Sequence, residues 1–363
     1  MRFLFLVNQA SDIQPSQTTA MLMAAAARSG TTWVAGVGDL GCRNQGDVWA
    51  NARLVRPEWS ASLPNSLPNS LPNSLSDSLA NNSLANSSLA NMVQQIAAAD
   101  ETAIALHKDS LDVVFVRTNP ARDFSRSALH QSALSLLRLV ERNGVQVINR
   151  PEGLTKAATK LYLLELPSFT RPRTLVSANR AEITAFILAI AAPVVLKPLQ
   201  GTRGSDVFFL SSAADPNLNQ IIDVILRQGL VMVQQQIPGA AAGDTRVVVF
   251  NGEILSVGGQ VAAIQRVPKQ GDLRSNLHAG GTAQPGKVTD EMKKVVSAIG
   301  TKLVTDGLYL AGLDFIGAQL VELNVFSTGG LRDAEKFTGA AFAEQIIQTV
   351  CSGALASPLS KAY

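Results

Sequence analysis

The chain has 363 residues, 46% of them hydrophobic, and a formal net charge of +3 at neutral pH. This length predicts two or three domains with ample cores, and so small a charge gives no indication of nucleic-acid or membrane-surface binding. The chain has only two cysteines, Cys42 and Cys351, and three histidines. None of them shows the spacing of a zinc site or a disulfide framework.

The first part of the chain alternates predicted strands with predicted helices. Strands are predicted over 2–7, 32–37, 111–116 and 145–148, and helices over 17–28, with Ser16 as its cap, and 127–142. The second helix repeats apolar residues at helical spacing and ends at Asn143-Gly144, and we expect His130 on its surface. This alternation predicts a parallel sheet between two layers of helices.

The N-terminal run Phe3–Val7 is too short for the apolar core of a signal peptide and is interpreted as a first buried strand. No apolar run reaches membrane-spanning length. We therefore expect a cytoplasmic protein without membrane or nucleic-acid partners.

Residues 36–41 match the Gly-x-Gly-x-x-Gly pattern of dinucleotide-binding domains and follow a predicted strand. That pattern needs a helix whose N-terminus holds the pyrophosphate. The next residues, Cys42-Arg43-Asn44-Gln45-Gly46-Asp47, do not begin a helix. We therefore do not expect NAD binding.

The segment 62–91 consists mainly of Ser, Asn and Leu, with a leucine at every fourth position over much of its length. Pro64, Pro68 and Pro72 are incompatible with a regular helix and would interrupt a sheet ladder. The composition predicts a disordered insertion in the first domain. A docking tract for a partner is the alternative.

A predicted hairpin near the C-terminus, residues 312–325, carries candidate metal ligands. Side chains alternate along a strand, so Glu322 and Asn324 share one face, and a turn centred on Ala318 would place Asp314 opposite Glu322. Two carboxylates directly opposite each other on neighbouring strands repel unless a cation lies between them, and such oxygen ligands suit Mg²⁺. The alternative is a hairpin whose carboxylates form structural ion pairs.

Two further segments indicate nucleotide binding. The predicted buried strand 192–199 carries Lys197, which must find an anion or leave the core. The glycine-containing loop 200–205 follows it and can bring backbone N–H groups near phosphate. It is not a P-loop, and a simple hairpin turn is the alternative. Farther on, 243–255 predicts two strands around an Asn251-Gly252 turn.

In this order, the motifs resemble the bacterial glutathione synthetase family of ATP-grasp ligases. The resemblance extends over about residues 1–356 apart from the insertion. It rests on Asn149-Arg150-Pro151, Lys160, 195–199, 201–204, 243–246, Arg266-Val267-Pro268, 274–281, Gly312-Leu313-Asp314 and 322–325.

The resemblance implies an α/β fold in which a three-layer parallel-sheet domain, residues 1–152, precedes an ATP-grasp catalytic domain, residues 153–363. The catalytic domain is expected to contain two α+β subdomains, 153–235 and 236–356, with a lid at about 266–281. A homo-oligomer, with a tetramer favoured, is also implied.

The resemblance further implies a role for each matching residue. ATP phosphates would contact Lys160, Lys197, Gly201 and Gly204. The backbone of Gln234, Gln235, Gln236 and Ile237 would read adenine, with Asp244 near the ribose. Asp314, Glu322 and Asn324 would hold magnesium. Arg246, Arg266 and the lid residues Arg274 and Asn276 would line the phosphate and peptide site, and Arg332 would end the acceptor loop.

The implied activity is ATP- and Mg²⁺-dependent ligation of γ-glutamylcysteine to glycine through an acyl-phosphate, with Mn²⁺ as an alternative metal. Such chemistry needs positioning and charge neutralisation rather than a nucleophilic side chain. The chain departs from the family at 326–330, where Phe-Ser-Thr-Gly-Gly replaces a usual Thr-Ser-Pro-Thr, and at Thr118, where a basic residue is usual. The alternatives are another amine acceptor, an ATP-grasp kinase and a non-catalytic nucleotide-binding protein.

Overall fold

The computed structural model describes residues 1–60, 75–199, 206–269 and 280–355. The described N-terminal part is built on one mixed sheet. Its strands are β1 Arg2–Val7, β2 Thr31–Gly36, β3 Leu40–Arg43, β4 Asp47–Val55, β5 Glu101–Ala105, β6 Val113–Val116 and β7 Gln146–Ile148. The helices of this part are α1 Thr18–Ser29, α2 Leu75–Ala98, α3 Ser127–Arg142 and α4 Pro151–Lys156.

The predicted parallel sheet is confirmed for the β2-β1-β6-β7 half. The other half is antiparallel, because β3 and β5 pair with β4 and β4 pairs with β2. Sequence reasoning missed these three strands. The alternating inward positions of β4 include the small residues Ala50 and Ala52, which make a weak hydrophobic pattern in a polar background.

The three-layer arrangement is confirmed by the alternation of β1. Phe3 and Phe5 face the core shared with α1, whereas Leu4 and Leu6 face the core shared with α3. The Gly-rich residues 36–41 connect β2 to β3 through a turn in which Asp39 accepts a hydrogen bond from the Gly36 amide at 2.7 Å. This turn leads to a strand and not to a helix.

The prediction that 62–91 is disordered is wrong from Leu75 onward, where α2 begins; residues 62–74 lie outside the described part. The last proline of the segment is Pro72, so nothing in the backbone chemistry prevents a helix after it. Leu89, Met92 and Ile96 follow at helical spacing and are buried in the core beside α1.

Two smaller predictions are also wrong. Helix α1 begins at Thr18, with Gln17 in the N-cap position and no side-chain cap, rather than with a cap from Ser16. His130 is 3% exposed, and its Nε2 lies 2.8 Å from Oδ2 of Asp123. The turn that carries Asp123 directly precedes α3 and folds back toward His130, a local contact that the helical pattern does not reveal.

A four-stranded antiparallel sheet follows. Its strands are β8 Thr174–Ser177, β9 Val194–Pro198, β10 Phe208–Leu210 and β11 Val231–Gln235, and they are covered by α5 Arg180–Ile190 and α6 Leu218–Leu226. Within the described residues the strands lie in the order β10-β9-β11-β8. Ile183, Ile187 and Ile222 from the two helices form a separate core with Leu196 and Val233 of the sheet.

The strands of the third sheet are β12 Asp244–Phe250, β13 Glu253–Ile254, β16 Ala263–Val267, β17 Thr282–Pro285, β18 Leu310–Ile316 and β19 Gln319–Asn324. In the part of the chain that is described, their order is β17-β16-β12-β18-β19, with β13 paired to β12. The helices of this part are α7 Asp290–Thr305, α8 Leu331–Thr338 and α9 Phe342–Cys351. The short strands β14 Ser256–Val257 and β15 Gln260–Val261 pair with each other.

The N-terminal domain and the third sheet share buried surface. Ile346 and Ile347 of α9 lie in the same core cluster as the alanines of α1, and Arg28 of α1 pairs with Glu344.

The predicted limits at residues 152 and 235 stay predictions. Among the described helices, none is both long and apolar enough to cross a bilayer.

Candidate active site

The β18–β19 hairpin places Asp314 directly opposite Glu322, as the alternation predicted. The turn differs from the predicted one. Ile316 pairs with Gln319 and Phe315 with Leu320, and a bulge then shifts the register by one residue before Asp314. The bulge thus brings the two carboxylates across from each other.

The carboxylate of Asp314 is held by cationic side chains. Arg246 donates from Nε to Oδ1 and from Nη2 to Oδ2, both at 2.7 Å, and Nη2 of Arg266 lies 2.7 Å from Oδ2. Asn324 adds a bond from Nδ2 to Oδ2 at 3.2 Å. Asp314 is 1% exposed, and burial acts to raise its pKa. The two arginines outweigh burial and hold the pKa of Asp314 below its ordinary value, so the group stays ionised.

Arg266 links Asp314 to Asp244. It lies opposite Asp244 on β16 and β12, and its Nε donates to Oδ1 of Asp244 at 2.6 Å. Burial acts against the charge of Arg266, but Asp314 and Asp244 outweigh it and raise the pKa of Arg266. The ribose contact expected of Asp244 stays a prediction, and in this structure its carboxylate orients Arg266.

Two lysines approach the hairpin from other elements. Lys197 lies on β9, is 8% exposed, and donates from Nζ to the carbonyl of Val321 at 3.3 Å. Burial lowers the pKa of Lys197 to about 8, although Glu322 opposes the shift. Burial also lowers the pKa of Lys160, again against the attraction of Glu322. The structure therefore brings both predicted phosphate-binding lysines into the electrostatic field of Glu322.

The predicted adenine linker continues from β11. Nε2 of Gln234 donates to Oγ1 of Thr174 at 3.2 Å, and the amides of Gln235 and Gln236 donate to carbonyls of Arg173 and Pro193. Ile237 follows outside the strand. These contacts connect the linker to β8 and to the loop before β9, and adenine recognition stays a prediction.

The acceptor loop, defined as residues 326–330, runs from the end of β19 to α8. Thr328 is 2% exposed, and a Cβ placed on Gly312 would lie 2.2 Å from its Oγ1. The absence of a side chain at Gly312 therefore makes room for Thr328. A Cβ on Gly330 would lie 3.3 Å from Cδ of Arg246. Arg332, in the first turn of α8, is half-buried.

Sequence reasoning assigned no role to two residues that organise this region. Asn149 is 2% exposed and forms three bonds of 2.6–2.8 Å: from Nδ2 to the carbonyls of Leu310 and Val325, and from the Leu310 amide to Oδ1. It thus connects the outer ends of β18 and β19. The second residue is Arg117, which donates to the carbonyls of Phe326 and Thr328 in the acceptor loop.

Gly201, Gly204, Arg274 and Asn276 lie outside the described residues. Their predicted roles stay predictions.

The donor types are those that magnesium takes, although both oxygens of Asp314 already accept hydrogen bonds from other side chains. Asp314 and Glu322 face each other, and because Asn324 uses Nδ2 toward Asp314, its Oδ1 is the atom left for a metal. Within the described residues no group of three or more Asp, Glu, His or Cys could hold a metal. Two carboxylates and an amide suit Mg²⁺, which binds few protein ligands and takes its other ligands from water and phosphate.

Comparison with protein families identifies the chain. The model of the prokaryotic glutathione synthetase N-terminal domain matches residues 1–155, and that of the prokaryotic glutathione synthetase ATP-grasp domain matches residues 159–339. The chain belongs to the prokaryotic glutathione synthetase family.

Curated relatives agree with this assignment. The chain is 38% identical over 236 residues to a glutathione synthetase of Synechococcus elongatus, covering 64% of this chain and 69% of the relative. It is 30% identical over 357 residues to a glutathione synthetase of Parasynechococcus marenigrum, covering 97% of this chain and 99% of the relative. Family membership makes the chain an ATP-dependent ligase that uses a divalent metal, as expected from the motifs.

Solved structures confirm the ATP-grasp fold. An ATP-grasp ligase of Chryseobacterium gregarium in complex with ADP and a leader and core peptide has a TM-score of 0.60 at 11% identity, with 100% of each chain covered. The D-cycloserine synthetase DcsG has a TM-score of 0.53 at 18% identity, with 95% of this chain and 99% of that chain covered. At these identities the similarity concerns the fold alone.

Proposed function

We propose that this protein is a glutathione synthetase that joins γ-glutamylcysteine to glycine with ATP and Mg²⁺. The observation that carries the proposal is the pairing of Asp314 with Glu322 beside two lysines and two arginines, because phosphoryl transfer needs this combination of metal ligands and cations. As finer parts of the proposal, the enzyme is cytoplasmic and forms a homo-oligomer, with a tetramer favoured.

The chain's own groups support an acyl-phosphate route. A carboxylate does not react with an amine at neutral pH, so the carboxylate of the dipeptide first attacks the γ-phosphorus of ATP and ADP leaves. The amine then attacks the acyl carbon, and phosphate departs with the oxygen that came from the carboxylate. Lys160 and Lys197 neutralise phosphate charge, and Arg246 and Arg266 stand beside the same carboxylate, Asp314.

Asp314, Glu322 and Asn324 would hold the magnesium ion, which supplies charge neutralisation and polarises the phosphoryl oxygens. Asp314 already carries the two arginines, which leaves Glu322 as the carboxylate without an arginine bond among the described residues. We assign to Asp314 the ordering of the arginines and to Glu322 the larger share of metal binding.

The acceptor is assigned from the loop 326–330 and Arg332. Glycine has no side chain to accommodate, so its carboxylate is the group that needs a partner, and an arginine can supply a bidentate one. The Thr328-Gly329-Gly330 sequence favours a second candidate, ligation of a different amine, since this loop departs from the usual family sequence at the acceptor.

The test is phosphate release by the purified protein with ATP, Mg²⁺ and γ-glutamylcysteine. Release should require glycine, and the product should gain one glycine by mass. Alanine, serine and other small amines serve as competitors. A tenfold preference for another amine, about 1.4 kcal/mol, would retain the ligase and refute the glutathione assignment. Phosphate transfer to an alcohol would refute both.

A further inference from the structure

Arg117 follows β6 of the N-terminal sheet and is 4% exposed. Its backbone amide continues the ladder with β1 by donating to the carbonyl of Leu6 at 2.7 Å. Its side chain leaves the sheet edge and reaches a segment more than two hundred residues later in the chain. The N-terminal domain thereby contacts the acceptor loop directly.

Three donors of the guanidinium are used. Nη2 donates to the carbonyl of Thr328 at 2.7 Å, Nη1 to the carbonyl of Phe326 at 3.4 Å, and Nε to Oγ1 of Thr19 at 3.2 Å. Among the described residues, the hydrogen bonds of this guanidinium go to carbonyl and hydroxyl oxygens and to no carboxylate. Burial lowers the pKa of Arg117 to about 10, so the group is charged at neutral pH.

A buried cation without a carboxylate partner is costly, and a purely structural contact between the domains needs no such group. The planar fork of an arginine does, however, fit two carbonyls of one loop at once. Arg117 therefore fixes the backbone of the loop at two points, Phe326 and Thr328.

The other side of the loop is also fixed. Thr328 packs on Gly312 of β18, two residues before Asp314, and Gly330 packs on the side chain of Arg246. The loop thus lies between Arg117 and the β18–β19 hairpin. Its conformation depends on both domains, and it leads directly into α8 with Arg332.

We propose that Arg117 is a positioning residue that holds the acceptor loop in its amine-binding conformation and thereby sets the affinity for the acceptor. The inference rests on the proposed function for the identity of the amine, but the loop contact does not depend on that identity.

The test compares three variants of this contact with a matched control. Arg117→Met removes all three bonds at similar side-chain volume, Arg117→Lys keeps the charge without the fork, and Thr19→Val removes the acceptor of Nε. The control is Arg28→Met, because Arg28 also joins the domains, through Nε to Oε1 of Glu344 at 3.0 Å, but does not contact the loop.

Arg117→Met should raise the KM for glycine at least tenfold while the KM values for ATP and γ-glutamylcysteine change less than threefold. The KM for glycine of Arg117→Lys should lie between those of the parent and Arg117→Met. Thr19→Val should raise this KM by a smaller factor, and Arg28→Met should leave it unchanged. Amide hydrogen exchange at 326–330 should be faster in Arg117→Met. If Arg117→Met does not fold, Arg117→Lys and Thr19→Val decide by the same criteria.

An unchanged glycine KM, an equal rise in all three KM values, or the same shift in Arg28→Met would overturn the proposal. If the parent prefers another amine, the same KM comparison is made with that amine. If the parent releases no amine-dependent phosphate at all, the proposed function fails, and the exchange rates at 326–330 still decide whether Arg117 holds the loop.

Discussion

The guanidinium of Arg246 and the carboxylate of Asp314 form two parallel hydrogen bonds, each 2.7 Å long. Arg246 and Asp314 also lie opposite each other on β12 and β18. The charge of Asp314 is therefore neutralised before any ligand binds. Glu322, across the hairpin, interacts with Lys160 and Lys197 by Coulomb attraction.

Glu322→Gln should reduce kcat at least about 100-fold, because metal-ion stabilisation of phosphoryl transfer contributes several kcal/mol. The protein should still melt cooperatively near the parent temperature, since an isosteric amide fits the same half-buried position. Glu291→Gln, at an exposed position of α7, is the control and should behave as the parent. Normal turnover in Glu322→Gln would remove the hairpin from the active site.

Lys197→Met should weaken ATP binding by about 10- to 100-fold, the loss expected for a charge-assisted hydrogen bond to phosphate. Its thermal stability should not fall, because burial disfavours the charged lysine in the ligand-free protein. Calorimetric titration with ATP measures the loss, and Lys293→Met, at an exposed position of α7, is the control. Unchanged ATP affinity would mean that Lys197 does not contact the nucleotide.

Asn149→Ala should lower the free energy of unfolding by about 2–4 kcal/mol, because it leaves two buried carbonyls and one buried amide without their partner. Urea unfolding measures the change. Asn143→Ala, which removes one exposed bond to the carbonyl of Gly46, should stay within about 0.5 kcal/mol of the parent. Equal effects of the two substitutions would show that the hairpin ends do not depend on Asn149.

The free energy of unfolding should depend on pH through Glu335. Burial raises the pKa of Glu335 to about 7 from an ordinary value of 4.5, while its Oε1 accepts from the Ala343 amide at 2.8 Å. Between these two values the folded protein retains a proton that the unfolded chain releases, so the stability contributed by Glu335 is lost as the pH rises.

Glu335→Gln should remove this loss, because the amide stays neutral and its oxygen can still accept from Ala343. The variant should equal the parent near pH 4.5 and exceed it by about 1–3 kcal/mol at pH 8. Urea unfolding across this range measures the difference. A difference that does not change with pH would contradict the assignment.

The elements whose pattern is local were predictable. Asp314 was predicted opposite Glu322 from a turn centred on Ala318. The observed turn is one residue tighter, and the pairing holds because of a bulge that leaves no mark on the hydrophobic pattern. Helix α3 was predicted over the residues it occupies, because its apolar spacing is regular.

Long-range contacts were not predictable from pattern. Arg117 and Asn149 bind carbonyls 161–211 residues away in the sequence. A backbone carbonyl is present at every residue, so the sequence does not mark these as partners. The burial of His130 against Asp123, seven residues earlier, was missed because the helical pattern does not show how the preceding turn folds back. Helix α2 was obscured because the prolines before Leu75 dominate the composition of the whole segment.

The central claim is that the dipeptide's carboxylate is activated by ATP before the amine attacks. It is tested most directly with γ-glutamylcysteine carrying ¹⁸O at both oxygens of its cysteinyl carboxylate, incubated with the protein, ATP, Mg²⁺ and glycine. The account predicts that each released phosphate carries one ¹⁸O atom, transferred from that carboxylate, in proportion to glutathione formed. Glutathione formed together with unlabelled phosphate would contradict the account.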